Sequence, residues 1–370
     1  MQKDEYRNRI AKVAKHLDSS NQDLLLVTPG ADLRYLIGYD ALPLERLTCL
    51  AIHRSGVTWL VVPTLERPSA VAHGIEDLDI HLVDWQETQN PYEILTKEIR
   101  SKVGKNKKIL VNNLMWVEKA FKLSDALGTQ VNLAEQLVAQ FRSVKTQFEV
   151  NALHEAGQAI DNVHNQIHKW LRPGRTEREV GRDIANAIIE SGHSRVDFVI
   201  VGSGPNGASP HHEVSDRVIN VGEPVVVDIG GTMPSGYCSD STRMYVIGKA
   251  PEEYYAKYEV LKIAQAAASK AAIAGVSCES IDATARDILQ SAGLGDYFIH
   301  RTGHGIGLET HEDPYIVSGN KTVLQNGHAF SIEPGFYVAE KYGARIEDIL
   351  VCSDGVAVPT NKVTRELVEL

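Results

Sequence analysis

The sequence predicts an α/β domain at residues 1–125, a linker at 126–144, and an α+β domain at 145–370 built from two pseudo-symmetric halves. Three observations predict this fold class. First, 370 residues exceed what one ordinary hydrophobic core supports. Second, short apolar strands alternate with helical stretches in the first part of the chain. Third, helices followed by a hairpin that carries carboxylates occur twice in the second part, which indicates two similar halves facing each other across a cleft.

The composition excludes several classes of protein. A formal net charge of -10 with scattered basic residues gives no electrostatic footprint for nucleic acid or an anionic membrane. No apolar run approaches the length of about 18 residues that a membrane span needs, and the N-terminal segment has no apolar signal-peptide core. Four cysteines stand far apart without a C-x-x-C pair, at Cys49, Cys238, Cys278 and Cys352. We therefore expect a cytoplasmic enzyme or binding protein.

Apolar periodicity predicts the elements of the first domain. An N-terminal helix is predicted because apolar residues recur with helical spacing at Tyr6, Ile10, Val13 and Leu17. The predicted strands are LLLVT from Leu24, TCLAIHRSGVTWLVV from Thr48, DIHLVDW from Asp79 and KKILVNN from Lys107. The second of these forms a hairpin that turns at Ser55-Gly56. No catalytic cluster appears here, so we expect the function in the second domain.

The second domain alternates helices with hairpins. A helical region is predicted over about 133–171, up to a break at Pro173-Gly174, and a second helix begins at Thr176, where Glu179 completes a capping box. Two further helices are predicted at 252–274 and 277–292. The strand segments are VDFVIVGSG, EPVVVDIGG, GYCSDSTRMYVIG, HAFSIEPGFYV and ARIEDILVC.

Strand alternation indicates which acidic residues share a face. Asp228 ends an apolar run, and Glu333 stands likewise after apolar residues. Glu347 shares a face with Arg345, whereas Asp348 takes the other face. A carboxylate at such a position is costly unless it is paired or bound to a metal. Several buried acids cannot stay ionised side by side without cations.

The stretch TGHGIGLETHEDP places His304 and His311 seven residues apart in a glycine-rich run. Taken singly, His304 is typical of a loop histidine, and each acid is typical of a strand end or a turn. The joint pattern of D-I-G, S-D-S-T-R, G-H-G-I-G, S-I-E-P-G and R-I-E-D has no such explanation. It includes Asp240, in the strand predicted to pair with that of Asp228.

This set of four carboxylates and one imidazole carries enough charge for two divalent ions. Oxygen-rich ligation with one nitrogen suits Mn, Co, Fe or Zn. Two ions ~3.5 to 4 Å apart can share a bridging water, lower its pKa and clamp the oxygen of a carbonyl under attack. The sequence therefore predicts hydrolytic chemistry.

By these ordered motifs the chain resembles the pita-bread metallopeptidases, the family of methionine aminopeptidase, aminopeptidase P and prolidase, with creatinase as a metal-independent cousin. The resemblance covers essentially all 370 residues. It implies a creatinase-like N-terminal domain followed by a pita-bread catalytic domain with pseudo-two-fold symmetric halves. The implied metal ligands are Asp228 for the first ion, Asp240 and Glu347 bridging both ions, and His304 and Glu333 for the second ion.

The resemblance also implies roles for residues around the metals. His311 would be an outer donor to the substrate or the tetrahedral intermediate, and His211 would contact the substrate carbonyl. Glu333 would act as general base and pass its proton to the leaving amine. The neighbouring His212 has no counterpart and is interpreted as a loop residue. Arg345 is a candidate for substrate binding.

Two departures from the family pattern bear on function. Asp228 and Asp240 are separated by one residue more than usual, and we place the additional residue in the turn TMPSG, because Ser239 at the usual spacing could not bridge two metals. Tyr315 stands four residues beyond His311, where many dipeptidases carry an arginine for the free carboxylate of the substrate. The second departure favours an aminopeptidase that acts on longer peptides.

The resemblance implies a Xaa-Pro dipeptidase with two divalent metal ions, Mn first among them, acting on small peptides with proline at the second position. Three alternatives remain: aminopeptidase P acting on longer peptides, a non-catalytic relative that binds peptides or partner proteins, and creatinase-like hydrolysis without metal. Methionine aminopeptidase is disfavoured because it lacks the extra N-terminal domain. A homodimer is implied as well, in which a loop around Tyr39-Asp40 reaches the cleft of the neighbour.

Overall fold

The computed structural model describes residues 3–370, so Met1 and Gln2, with which the predicted first domain begins, lie outside the described residues. The chain divides into two compact units, the first ending at Arg142 and the second spanning Ser143–Leu370. The segment predicted as a linker, 126–144, carries a strand and a short helix. None of the helices within residues 3–370 is both long and apolar enough to cross a membrane.

The first unit is a mixed six-stranded sheet with helices. Its helices are α1 (Lys3–Ser19), α2 (Ala31–Ile37), α3 (Arg67–Ala72), α4 (Pro91–Val103), α5 (Val117–Leu127) and α6 (Ala139–Ser143), which ends at the boundary. Its strands are β1 (Leu24–Val27), β2 (Cys49–His53), β3 (Thr58–Pro63), β4 (His81–Trp85), β5 (Ile109–Val111) and β6 (Val131–Leu133). The strand order is β4-β3-β2-β1-β5-β6. Every predicted strand segment is present, and β6 adds an edge strand.

The structure corrects one detail of the loop expected to reach a neighbouring subunit. The Tyr39 side chain is buried, with its ring centroid 5.2 Å from that of His73, so it is not available to another chain. Asp40 is exposed and pairs with Arg34 at 3.0 Å, and the exposed Leu42 follows. The accessible part of this loop therefore begins at Asp40.

The second unit consists of two halves, each with a helix pair that precedes its strands. The first half has α7 (Gln147–His164), α8 (Glu177–Glu190), β7 (Arg195–Ser203), β8 (Pro224–Thr232) and β9 (Ser241–Val246). The second half has α9 (Glu252–Ala271), α10 (Cys278–Ser291), β10 (Gly303–Gly305), β11 (Glu312–Ile316), β12 (Ala329–Ile332), β13 (Gly335–Val338), β14 (Tyr342–Arg345), β15 (Asp348–Ser353), β16 (Val356–Pro359) and β17 (Val368–Glu369). The sheets have the orders β17-β9-β8-β7, β11-β10-β12-β15-β16 and β13-β14.

The two halves repeat the same local arrangement at the start of the second helix of each pair. The N-cap residue of α8 is Thr176, which forms an isolated bridge with Val218. The N-cap residue of α10 is Ser277, which forms the corresponding bridge with Val323. This correspondence agrees with the pseudo-symmetry that the order of elements predicts.

The helical region predicted over 133–171 is interrupted in the structure. Val144 forms a bridge with His328, and the Lys145 N–H donates to the Gly327 carbonyl at 2.8 Å, so the backbone leaves the helix after α6. Helix α7 then starts with a capping box at Thr146. A strand contact from a distant part of the chain thus divides the region in two.

The four cysteines are unpaired and buried. Burial raises the pKa of the thiols to about 12 for Cys49, Cys238 and Cys278 and to about 11 for Cys352. These thiols are therefore protonated at neutral pH and shielded from reagents.

Candidate metal centre

Strand alternation turns Asp228 away from the helices of its half. Val227 and Ile229 of β8 pack in the core beneath α7 and α8, so Asp228 projects from the opposite face of the sheet. Its carboxylate is buried there and lines a cavity.

Asp240 joins Asp228 on that face through the register of the hairpin. The ladder pairs Asp228 with Thr242, and the same register continues to the bridge between Thr232 and Cys238. Even-numbered residues of the hairpin therefore share one face, and the turn 233–237 closes it. This register agrees with an additional residue in the turn, and Asp240 lies one residue before β9 and not within it.

Glu333 and Glu347 face the same cavity for the same reason. Phe330 and Ile332 of β12 pack in the core that includes α9 and α10, so Glu333, directly after the strand, lies on the other face. Leu350 of β15 packs in that core too, and Glu347, directly before the strand, faces the cavity.

Asp348 takes the opposite face, as alternation predicts. It accepts hydrogen bonds from Gln265 of α9 at 3.0 Å, from Arg243 at 2.6 Å and from Arg365. Its charge is balanced within the core, so Asp348 does not belong to the cavity.

His304 directs one ring nitrogen at the acids. Its Nδ1 lies 3.1 Å from the Gly305 carbonyl oxygen, which favours the tautomer with the proton on Nδ1. The Nε2 atom lies 3.1 Å from a Glu333 oxygen and 3.7 Å from an Asp240 oxygen. Nε2 thus faces the carboxylates, where it can donate to Glu333 when no metal is bound or offer its lone pair to a cation.

The geometry of these residues fits divalent cations. One ligand atom from each of Asp240, His304 and Glu347 lies within 4.8 Å of the other two. The buried oxygens Asp228 Oδ1 and Glu347 Oε1 have no hydrogen-bond partner among the described residues. Buried carboxylate oxygens without donors are costly, and a carboxylate-rich set with one imidazole is a typical divalent-metal environment.

The carboxylates perturb one another's titration. Burial and then the Glu347 carboxylate raise the pKa of Asp240 well above its ordinary value. Burial, with Glu333 and Asp228, raises the pKa of Glu347 in the same way. Burial would also raise the pKa of Glu333, but the adjacent His304 outweighs it and holds that pKa well below the ordinary value. A cation placed among these groups would relieve the repulsion.

The raised pKa of Asp240 predicts how the free energy of unfolding of the metal-free protein changes with pH. The folded state holds this proton more tightly than the unfolded state, so ionised Asp240 destabilises the metal-free fold increasingly as pH rises above about 4. We expect Asp240→Asn to unfold at a higher temperature than the wild type in EDTA, and the gap to widen from about pH 5 to about pH 8.

Differential scanning calorimetry of both proteins over this pH range provides the measurement. With Mn²⁺ in place of EDTA the order is expected to reverse, because the wild type gains binding energy that the variant lacks. A gap in EDTA that narrows with rising pH would contradict the raised pKa.

The cavity beside the acids is large enough for a small peptide. It has a volume of about 680 Å³, and both His211 and His311 lie on its wall. A second cavity of about 330 Å³ shares His211, His311 and Glu333 with it and adds His300 and Arg301.

His311 lies next to His304, one of the candidate metal ligands. Its ring meets that of His304 edge to face, with centroids 4.1 Å apart. Desolvation, His304 and Arg301 lower the pKa of His311 to about 4. At neutral pH the imidazole is therefore neutral and offers one N–H donor to the cavity.

The structure revises the expectation for Arg345. Its guanidinium is buried and donates to Asp228, to the Tyr337 hydroxyl at 2.7 Å, to the Thr242 hydroxyl at 3.1 Å and to the Pro210 carbonyl at 3.3 Å. All three nitrogens are engaged by the protein. Arg345 therefore holds Asp228 in place and does not present a free cation to a substrate.

Residues that fix Glu347 were not singled out by the sequence analysis. The Thr242 hydroxyl donates to Glu347 Oε2 at 2.8 Å, and Arg243 donates to the Glu347 backbone carbonyl at 2.5 Å. Both belong to the S-D-S-T-R motif, in which the spacing of acids points to Asp240 alone. Tyr337, four residues beyond Glu333, had no signal of its own.

His212 lies in a loop, as the sequence predicts, and has a structural partner there. Its Nε2 lies 2.7 Å from the fully buried carboxylate of Glu177. That carboxylate also accepts from the Ser203 amide at 2.8 Å and the Ser215 hydroxyl at 2.6 Å. Glu177 thus ties together both ends of the segment that carries His211.

Comparison with known proteins finds relatives along the chain. Residues 151–354 match metallopeptidase family M24, and residues 9–144 match the creatinase/prolidase N-terminal domain. The "probable dipeptidase PepE" of Mycobacterium tuberculosis is 46% identical over 363 residues, which are 98% of this chain and 96% of that protein.

Solved structures agree with this assignment. The dipeptidase PepE from Mycobacterium ulcerans superposes with a TM-score of 0.93 at 46% identity, covering 100% of this chain and 98% of that one. A recombinant prolidase from Thermococcus sibiricus superposes with a TM-score of 0.92 at 36% identity, covering 100% of both chains. The predicted fold class, a creatinase-like domain followed by a pita-bread catalytic domain, is confirmed.

Proposed function

Since the chain belongs to metallopeptidase family M24, we propose that it is a Xaa-Pro dipeptidase, which hydrolyses the bond between an N-terminal residue and proline with two divalent metal ions. One observation carries this proposal. The five candidate ligands line one cavity, and two of their buried carboxylate oxygens lack hydrogen-bond partners among the described residues. The names of the relatives agree, because they include dipeptidases and a prolidase.

The proposed ligands follow the arrangement of the five residues. Asp228 would hold the first ion, Asp240 and Glu347 both ions, and His304 and Glu333 the second. When bound, the two ions supply Lewis acidity that lowers the pKa of a water and polarises the scissile carbonyl.

The protein's own groups would manage protons and orientation. Glu333, ionised because of its lowered pKa, would accept the proton of the attacking water and pass it to the proline nitrogen as the amine leaves. Neutral His311 would donate to the developing oxyanion, and His211 would hold the substrate carbonyl. The proline nitrogen of the substrate carries no N–H that the protein could bind, so the site would recognise the shape of the proline ring and the carbonyl oxygens instead.

Peptide hydrolysis with added Mn²⁺ tests the substrate class. We expect kcat/KM for Ala-Pro to exceed that for Ala-Ala by at least about tenfold, with Ala-Pro-Ala also cleaved. Chromatography of the released amino acids gives the rates, and treatment with EDTA is expected to abolish them.

Other outcomes identify the alternatives. If the protein hydrolyses Ala-Pro-Ala but not Ala-Pro, it is an aminopeptidase that needs longer peptides. The uncharged Tyr315 favours this alternative. Bound metal without hydrolysis of any peptide would show a non-catalytic relative. Cleavage that persists in metal-depleted protein would show creatinase-like chemistry.

Three further features belong to this proposal. We propose Mn²⁺ as the native metal, with Co, Zn and Fe as alternatives. A homodimer, with the loop from Asp40 reaching the neighbour, is proposed on the family resemblance, and light scattering after gel filtration measures it. The four unpaired thiols fit the reducing cytoplasm, where we place the protein.

A further inference from the structure

Arg301 carries a positive charge that no acid among residues 3–370 neutralises through an ion pair. Its side chain lines the smaller cavity together with His211, His311 and Glu333. Within residues 3–370, no carboxylate forms an ion pair with its guanidinium; the contact that it makes is with the ring of Tyr315, 4.6 Å from the guanidinium carbon to the centroid. A half-buried arginine without an anion in a cavity indicates that the anion comes from a ligand.

The other arginines on the cavity walls are occupied. Arg345 donates to Asp228 and three further oxygens. Arg178, on the wall of the larger cavity, pairs with Asp216 at 2.7 Å. Of the arginines that line these two cavities in the described part of the chain, Arg301 is therefore the one available to an anion.

The backbone on both sides of Arg301 is held firmly. The His300 carbonyl accepts from Arg286 at 2.9 Å. The Thr302 hydroxyl donates to Asp282 at 2.7 Å, and the Thr302 amide donates to the Ile316 carbonyl of β11 at 3.0 Å. The ring of Tyr315 supports the guanidinium from one side. The side chain is thus placed in advance, which reduces the entropy lost when an anion binds.

The direction of the cavity identifies the anion. Glu333 and His311 lie where the scissile bond is proposed to sit, and Arg301 lines the cavity that extends from them. In a dipeptide the free carboxylate follows the scissile bond by a single residue, so it is the anion nearest to that bond. We propose that Arg301 binds the C-terminal carboxylate of the dipeptide and so selects dipeptides over longer or blocked peptides, an inference that rests on the proposed function.

The experiment compares Ala-Pro with Ala-Pro-amide. Amidation removes the negative charge of the C-terminal carboxylate and changes the shape of the substrate very little. For Arg301→Met we expect kcat/KM for Ala-Pro to fall by roughly 10- to 100-fold, mainly through KM, and that for Ala-Pro-amide to change less than about threefold. Arg301→Lys keeps the charge but loses the two-pronged geometry, so its kcat/KM for Ala-Pro should lie between the values of the wild type and Arg301→Met. Arg178→Met is the matched control, and its ratio of Ala-Pro to amide should equal that of the wild type.

The outcomes separate this inference from the proposed function. Equal losses on Ala-Pro and its amide, or no loss on either, would overturn the role of Arg301 while the wild type remains a peptidase. If the wild type prefers Ala-Ala to Ala-Pro, the proline assignment fails, and Ala-Ala with its amide then tests the carboxylate contact by the same ratio. A wild type that is inactive on every peptide refutes the proposed function and this inference with it.

Discussion

Asp240→Ala is expected to yield a folded protein that retains less than its full metal content and hydrolyses Ala-Pro at least about a thousandfold more slowly, since the ions supply several kcal/mol of transition-state stabilisation. Asp240 lies within 4.8 Å of ligand atoms of both His304 and Glu347, at the centre of the proposed site. Its loss removes a ligand that both ions would share. Elemental analysis after dialysis and kcat/KM with saturating Mn²⁺ are the two measurements.

Asp197→Asn is the matched control for this prediction. Asp197 lines the same cavity, but its carboxylate is bound by Arg195 and Thr232, both at 2.7 Å, and is not part of the acid cluster. The control variant should keep its metal and most of its activity. Two ions retained by Asp240→Ala, with normal turnover, would remove the dinuclear site from consideration.

A second large effect is expected at His311. His311→Ala should lower kcat by on the order of 10² to 10³, the usual result of deleting one oxyanion donor, while metal content stays at the wild-type level. His304→Ala should instead lose metal, because its Nε2 faces Glu333 and Asp240. The two variants therefore divide the neighbouring histidines into a donor and a ligand.

The comparison needs metal analysis and kinetics of both variants under one Mn²⁺ concentration. His168→Ala, at an exposed position outside the cavity, serves as the reference for a harmless histidine replacement. Loss of metal from His311→Ala would mean that the roles of His304 and His311 have been exchanged.

The acids of the site could be predicted because strand alternation fixes their direction. An apolar run such as that before Asp228 must pack against helices, so the carboxylate that shares the other face of the strand points into the opposite space. The same argument places Glu333 and Glu347, and it assigns Asp348 to the core. Their proposed roles toward metal and substrate remain predictions.

Features that depend on distant partners could not be predicted. The interruption before α7 arises from the bridge of Val144 to His328, although the capping box at Thr146 was a local signal for the new helix start. His212 depends on Glu177, which stands 35 residues earlier and belongs to no motif. The engagement of Arg345 likewise depends on oxygens from several elements.

The state of the thiols decides how metal content can be measured. Because all four cysteines are buried and their raised pKa values keep them protonated, the protein does not need a reducing agent to prevent oxidation or cross-linking during handling. Dithiol reductants bind soft and borderline metals strongly and would compete for the ions being counted. Purification and metal titration in reductant-free buffer therefore report the affinity of the protein itself.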